Sequence, residues 1–137
     1  MRSPKRRILY CEDDPESREL IAFLFTRNGY DIVCAENGTD ALHLANHERF
    51  DLFLLDNWMP DLSGEEITRH IRTFNQTTPI LFYSAAAYKT DQQAALNAGA
   101  QAYVTKPSDV DVLLAEVERL ITDKRSPASP NNDLVEL

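Results

Sequence analysis

Cysteine is scarce in this sequence: there are two, Cys11 and Cys34, in 137 residues. A small secreted domain stapled by disulfides would carry more. Both lie in apolar runs, "RILYC" and "DIVCA", and are expected to be buried free thiols. Long hydrophobic runs are missing too. None approaches the roughly 20 apolar residues that span a membrane. The run "ILYC" behind the basic start "MRSPKRR" is too short for a signal sequence. These absences predict a cytoplasmic chain with no membrane partner. Positive charge is sparse beyond the start. Residues 1–7 hold four basic side chains and no acid, and the remainder holds 10 basic against 22 acidic residues, a net of −12. An acidic body repels a nucleic-acid backbone, which excludes nucleic acid as a partner. Residues 1–6 read as a solvated basic arm, with contact to an acidic partner as the alternative. No internal repeat and no second domain is visible.

What is present suffices for one core, since 43% of the residues are hydrophobic. Apolar runs alternate with amphipathic segments. "RILYC" suits a strand buried on both faces, and Leu20, Ile21 and Leu24 then form a helical stripe that stops at Asn28-Gly29. "DIVCA" is a second strand. A helix over 39–48 turns Ala41, Leu44 and Ala45 inward, and "DLFLLD" is the most apolar strand. Ser63 and Glu66 form a capping box for a helix that buries Ile67, Ile71 and Phe74. "PILFYS" is the fourth strand. Thr90 with Gln93 suggests a further capping box, "AYVTK" is the fifth strand, and Ser108 is expected to cap a last helix. In that helix Val110, Leu113, Leu114, Val117, Leu120 and Ile121 recur at helical spacing. Strict alternation of five strands and five helices calls for an α/β fold, a parallel sheet covered on both faces. Proline, serine and asparagine dominate 123–137, which reads as a flexible tail after a single domain at 7–122.

In such sheets ligands bind beyond the carboxyl ends of the strands. The first strand runs into Glu12 and Asp13, the third into Asp56, the fourth into Ser84 and the fifth into Lys106. Each polar residue closes an otherwise apolar run, so three carboxylates, a hydroxyl and an ammonium share one mouth. Clustered acids repel one another without a cation, and hard oxygen donors suit Mg²⁺. A lysine and a hydroxyl offer a phosphoryl group positive charge and a donor. Carboxylates form aspartyl phosphates. Asp14-Pro15 fits a helix N-cap followed by the first helical position, which sets Asp14 apart from the metal pair Glu12 and Asp13.

With those residues in place, the sequence resembles the receiver domain of two-component response regulators, the flavodoxin-like fold also used by chemotaxis regulators. The likeness runs from about Arg6 to Ile121 and rests on "EDD", "LLDNWMPDLSG", "FYSA" and "YVTKP" in order. It implies a doubly wound five-stranded sheet in the order 2-1-3-4-5. It implies Asp56 as acceptor of a phosphoryl group from a phosphohistidine on a histidine kinase or histidine phosphotransfer protein. The implied Mg²⁺ ligands are Asp13, Asp56, the Trp58 backbone carbonyl and Glu12 through water. Lys106 would bind a phosphoryl oxygen, with Ser84 as switch hydroxyl and Tyr103 as switch aromatic. A cis bond at Lys106-Pro107 is expected. Trp58 and Ala86 occupy positions that govern how long the phosphate survives, with Trp58 expected to shield it or to be a partly exposed loop aromatic.

The expected function is a stand-alone, phosphorylation-driven switch, not an enzyme with a turnover substrate. Its downstream effector would meet the face of helix four, strand five and helix five, through which a homodimer is also expected. Two rivals remain: a phosphorylation-independent scaffold, and a Mg²⁺-dependent phosphohydrolase. The latter usually needs a second aspartate where Trp58 stands. Tyr83, Tyr88, Phe23 and Phe25 read as core or flanking packing, and His43, His47 and His70 as surface or packing residues.

Overall fold

The computed structural model describes residues 4–123. Residues 1–3 of the basic arm and the tail from 124 onward lie outside the described residues. Five strands alternate with five helices: β1 (Arg7–Cys11), α1 (Pro15–Arg27), β2 (Asp31–Ala35), α2 (Gly38–His47), β3 (Leu52–Leu55), α3 (Gly64–Phe74), β4 (Ile80–Ser84), α4 (Lys89–Ala98), β5 (Ala102–Thr105) and α5 (Val110–Thr122). All pairings are parallel, in the order β2-β1-β3-β4-β5, as the alternation and the resemblance implied.

The apolar strands feed two cores because successive strand residues face opposite sides of the sheet. Leu9, Cys11, Phe53, Leu55, Ile80 and Phe82 pack with Ala41, Ala45, Ile67, Ile71 and Ala95 from α2, α3 and α4. Ile8, Tyr10, Leu52, Leu54, Leu81 and Tyr83 pack with Ile21, Phe25, Leu113, Val117 and Leu120 from α1 and α5. β1 and β3 lie side by side although β2 separates them in sequence. That reversal of strand order places their carboxyl ends at the switch point of the sheet.

Local details depart from expectation in several places. Leu20 is 57% exposed, and α1 instead buries Ile21 and Phe25, a pair four residues apart. Phe74 is 42% exposed, since it is the last helical residue and the chain turns away at Asn75; α3 buries Ile67, Thr68 and Ile71. α4 begins at Lys89 with Tyr88 as cap, and Asp91 Oδ2 accepts from the Tyr88 N–H at 3.3 Å, so Thr90 and Gln93 are not the capping pair. Asp109 rather than Ser108 caps α5. Cys11 is fully buried, but Cys34 is only half-buried, because β2 is an edge strand. Tyr83 and Phe25 are core residues, whereas Tyr88 and Phe23 are exposed. The expected caps of α1 and α3 are present: Asp14 Oδ2 accepts from the Ser17 N–H at 3.1 Å, and Ser63 and Glu66 form a reciprocal box.

The described end of the basic stretch is fastened to the body. The Arg7 N–H donates to Asp51 Oδ2 at 2.7 Å, and its guanidinium reaches Glu48 and Asp31. Arg6 lies 3.7 Å from Asp51. Among the described residues no helix is long and apolar enough to cross a membrane.

Candidate functional site

β1, β3, β4 and β5 bring Glu12 and Asp13, Asp56, Ser84 and Lys106 to the carboxyl end of the sheet. Oxygens of Glu12, Asp13 and Asp56 lie within 4.8 Å of one another. Glu12 and Asp56 are buried, at 2% and 8% exposure, while Asp13 faces solvent. Lys106 Nζ reaches Glu12 Oε1 at 2.7 Å and lies 3.6 Å from Asp56 Oδ2. Ser84 is fully buried, and its Oγ accepts from the Ala86 N–H at 3.2 Å. Tyr103 stacks on Phe82 with ring centroids 5.4 Å apart and donates its hydroxyl to the Ala86 carbonyl at 2.6 Å. The Lys106-Pro107 bond is cis. Thus Glu12, Asp13, Asp56, Ser84 and Lys106 lie together at this mouth, with Trp58 and Ala86 on the segments that follow Asp56 and Ser84. The Trp58 N–H donates to Asp56 Oδ1 at 3.3 Å, and its indole is 62% exposed.

The three acids at the end of β1 behave differently. Glu12 is held below the usual carboxylate range: burial opposes its charge, but the Lys106 ammonium and the Asp14 N–H outweigh it. Asp56 is held above that range, first by burial and further by the Glu12 charge, with a Ser84 hydrogen bond and Lys106 acting against the rise. Asp13 is also raised, by burial and by Glu12. Asp14 is lowered by its hydrogen bonds from the Ser17 hydroxyl and N–H, as a helix cap should be. Without a cation, then, the cluster carries more negative charge than its surroundings stabilise. Hard oxygens at this spacing fit a divalent cation such as Mg²⁺.

Four supporting residues escaped the sequence reading. Arg18 Nη1 donates to the Glu12 carbonyl at 2.8 Å, which fixes the end of β1. Tyr10 donates to Glu12 Oε1 at 3.2 Å from inside the core. Asp61 accepts from the N–H groups of Gly38 and Thr39 at 2.8 and 2.9 Å, and so ties the loop after Asp56 to the start of α2. Its carboxyl is lowered to about 2, chiefly by the Thr39 hydroxyl. Gly64 lies against the acceptor loop. A Cβ there would sit 2.6 Å from the Phe82 ring, 2.8 Å from the Asp56 carbonyl and 3.0 Å from Asn57 Cα. Only the motif that contains Asp61 and Gly64 hinted at these two, because their partners are distant in sequence.

Comparison with known proteins agrees with this geometry. The family model described as "Response regulator receiver domain" matches residues 8–118. Response regulator ArlR of Staphylococcus saprophyticus is 36% identical over 121 residues, which cover 88% of this chain and 54% of that protein. The uncharacterized transcriptional regulatory protein YrkP of Bacillus subtilis is 40% identical over 111 residues, 81% of this chain and 47% of that protein. The chain spans about half the length of the curated relatives it matches. Among solved structures, the receiver domain of a sensor histidine kinase from Pseudomonas aeruginosa PAO1 superposes with a TM-score of 0.82 at 30% identity. That match covers 88% of this chain and 100% of the other, which was solved with a magnesium ion coordinated in its active site cleft. By the family match over most of its length, and by a fold and site that agree with it, the chain belongs to the response regulator receiver domain family.

Proposed function

We propose that this receiver is a phosphorylation-driven switch with Asp56 as its phospho-acceptor. The observation that carries this reading is the meeting of Glu12, Asp13, Asp56, Ser84 and Lys106 at the carboxyl end of the sheet. An Asp56 oxygen forms a bond to the phosphorus of a phosphohistidine as the P–N bond breaks. The leaving imidazole nitrogen keeps the electron pair and takes a proton from solvent. The donor is a histidine kinase or a histidine phosphotransfer protein. Lys106 binds one phosphoryl oxygen and Ser84 donates its hydroxyl to another. Glu12, Asp13, Asp56 and the Trp58 carbonyl would hold Mg²⁺, which when bound offsets the crowded negative charge of carboxylates and phosphoryl group.

The new bond for the Ser84 hydroxyl biases a pre-existing equilibrium in which Tyr103 and the loop of Ala86 take part. Support comes from the Tyr103–Ala86 hydrogen bond, which already links the switch aromatic to the loop beside Ser84. The α4–β5–α5 face then changes affinity for an effector protein or a second copy. The reading is of a cytoplasmic signalling protein with no turnover substrate. Trp58 and Ala86 flank the acceptor and set the phosphate lifetime; a Trp58→Asn variant with an unchanged dephosphorylation half-life would refute shielding by Trp58.

A small phosphodonor such as acetyl phosphate, supplied with Mg²⁺, tests the proposal. One phosphoryl group per chain is expected by intact mass, and none in Asp56→Asn. No incorporation in the unaltered protein supports the scaffold reading instead. Repeated release of phosphate from unrelated phosphoesters supports the phosphohydrolase.

A further inference from the structure

The lysine assigned above to the phosphoryl group rests elsewhere in this structure. Lys106 Nζ donates to Glu12 Oε1 at 2.7 Å, lies 3.6 Å from Asp56 Oδ2, and sits 5.1 Å from the centre of the Tyr83 ring. To serve a phosphoryl oxygen on Asp56 it must loosen its hold on Glu12. Glu12 is only 2% exposed, and a buried carboxylate that loses a charged donor is strongly disfavoured unless other donors remain.

Two donors remain. The Asp14 N–H reaches Glu12 Oε2 at 3.2 Å from the cap of α1. The Tyr10 hydroxyl reaches Glu12 Oε1, the same oxygen that Lys106 uses, at 3.2 Å. Tyr10 has no solvent exposure, pairs with Leu54 of β3, and belongs to the core that β1, β3, α1 and α5 share. It shares that core with Ile8, Leu52, Leu54 and Val117, all apolar. Burying a hydroxyl there is unfavourable unless it has a partner, and the partner it has is Glu12.

We infer that Tyr10 is a positioning residue for phosphoryl transfer: its hydroxyl retains the buried Glu12 carboxylate while Lys106 passes from Glu12 to the phosphoryl group on Asp56. This rests on the phospho-acceptor reading above. Tyr10 acts through Glu12 and Lys106 and touches neither the donor nor the phosphorus. Its hydroxyl matters more after the lysine has moved than before, because one of the three donors to Glu12 has then left. Removing it therefore slows transfer more than it disturbs the resting protein.

Tyr10→Phe isolates the hydroxyl, since phenylalanine fills the same volume. Three measurements are compared: phosphorylation rate with acetyl phosphate and Mg²⁺, Mg²⁺ affinity from Trp58 fluorescence, and thermal unfolding without metal. The expected result is a phosphorylation rate lower by about tenfold, with a Mg²⁺ Kd within about threefold of the unaltered protein. In a Glu12→Ala background, the same change has no further effect on the rate. An unchanged rate in Tyr10→Phe overturns the inference. So does an equal loss in the Glu12→Ala background, or a Mg²⁺ affinity that falls in step with the rate, for each indicates a general packing role. If Tyr10→Phe unfolds, the hydroxyl is a stability element and the inference is likewise overturned. These outcomes are separable from failure of the phospho-acceptor reading, in which the unaltered protein takes up no phosphoryl group or Asp56→Asn still does.

Discussion

Three consecutive acids follow β1, and each has a different environment. Asp14 spends its carboxylate on the Ser17 N–H and hydroxyl, at 3.1 and 2.7 Å. Glu12 and Asp13 meet Asp56. Asp13→Ala is therefore expected to abolish Mg²⁺-dependent phosphorylation, while Asp14→Ala leaves Mg²⁺ affinity intact and lowers the unfolding temperature by a few degrees. A fluorescence titration and a melting curve on both variants check the division. Asp56 yields a second prediction. Its carboxyl lies above the ordinary aspartate range because it is buried beside Glu12. The folded protein thus holds this proton more tightly than the unfolded chain, and stability from this group falls as pH rises from the ordinary aspartate range through the elevated value. At neutral pH without metal the charged form strains the fold. Asp56→Asn should raise the melting temperature there, and added Mg²⁺ should narrow the gap.

At the scale of elements, the loop from Asp56 to Ser63 is held from both ends. Asp61 binds the first turn of α2 through Gly38 and Thr39. Exchange of the Asp61 carboxylate for an amide, Asp61→Asn, removes an anion from the positive end of that helix. Amide hydrogen exchange at Gly38 and Thr39 should then quicken by about tenfold, with the rest of the sheet unaffected. Gly64 holds the other end, since α3 starts in direct contact with the Asp56 carbonyl and the Phe82 ring. Gly64→Ala should cost about 2 kcal/mol or more, because the obstructing atoms include backbone that cannot swing aside. Denaturant unfolding measures the loss, and slower phosphorylation of the folded fraction should accompany it.

The whole molecule is a helix-covered sheet with its chemistry at the carboxyl ends of the strands and its expected partner face alongside. Ser84 ends β4, Tyr103 lies on β5, and both meet the Ala86 segment that leads into α4. On the switch reading proposed above, a change at Ser84 is expected to reach the α4–β5–α5 side before α1 or α2. Hydrogen exchange before and after phosphorylation should differ most in that side and least in β2. A uniform change over the sheet would contradict this route. If the same face pairs two copies, the phosphorylated protein elutes earlier than the free one in size-exclusion chromatography.

By itself the sequence determined the architecture and the identity of the clustered side chains. Alternating apolar and amphipathic runs admit few folds, and a polar residue closing an apolar strand is visible without coordinates. It also separated Asp14 from its neighbours, because a cap followed by proline is a local pattern. Helix faces were less legible: Leu20 and Phe74 looked inward by their spacing, yet the facing of Leu20 depends on the rotation of α1 over the sheet and Phe74 lies at the end of α3. α4 starts at Lys89 with Tyr88 as its cap, rather than after Thr90, because the loop before it sets where the helix begins. Only the tertiary structure decided that Lys106 rests on Glu12, that Tyr10 shares the same oxygen, and that Gly64 must lack a side chain. Those contacts join residues on different strands and helices, and their energies depend on burial and distance, which a linear pattern does not contain.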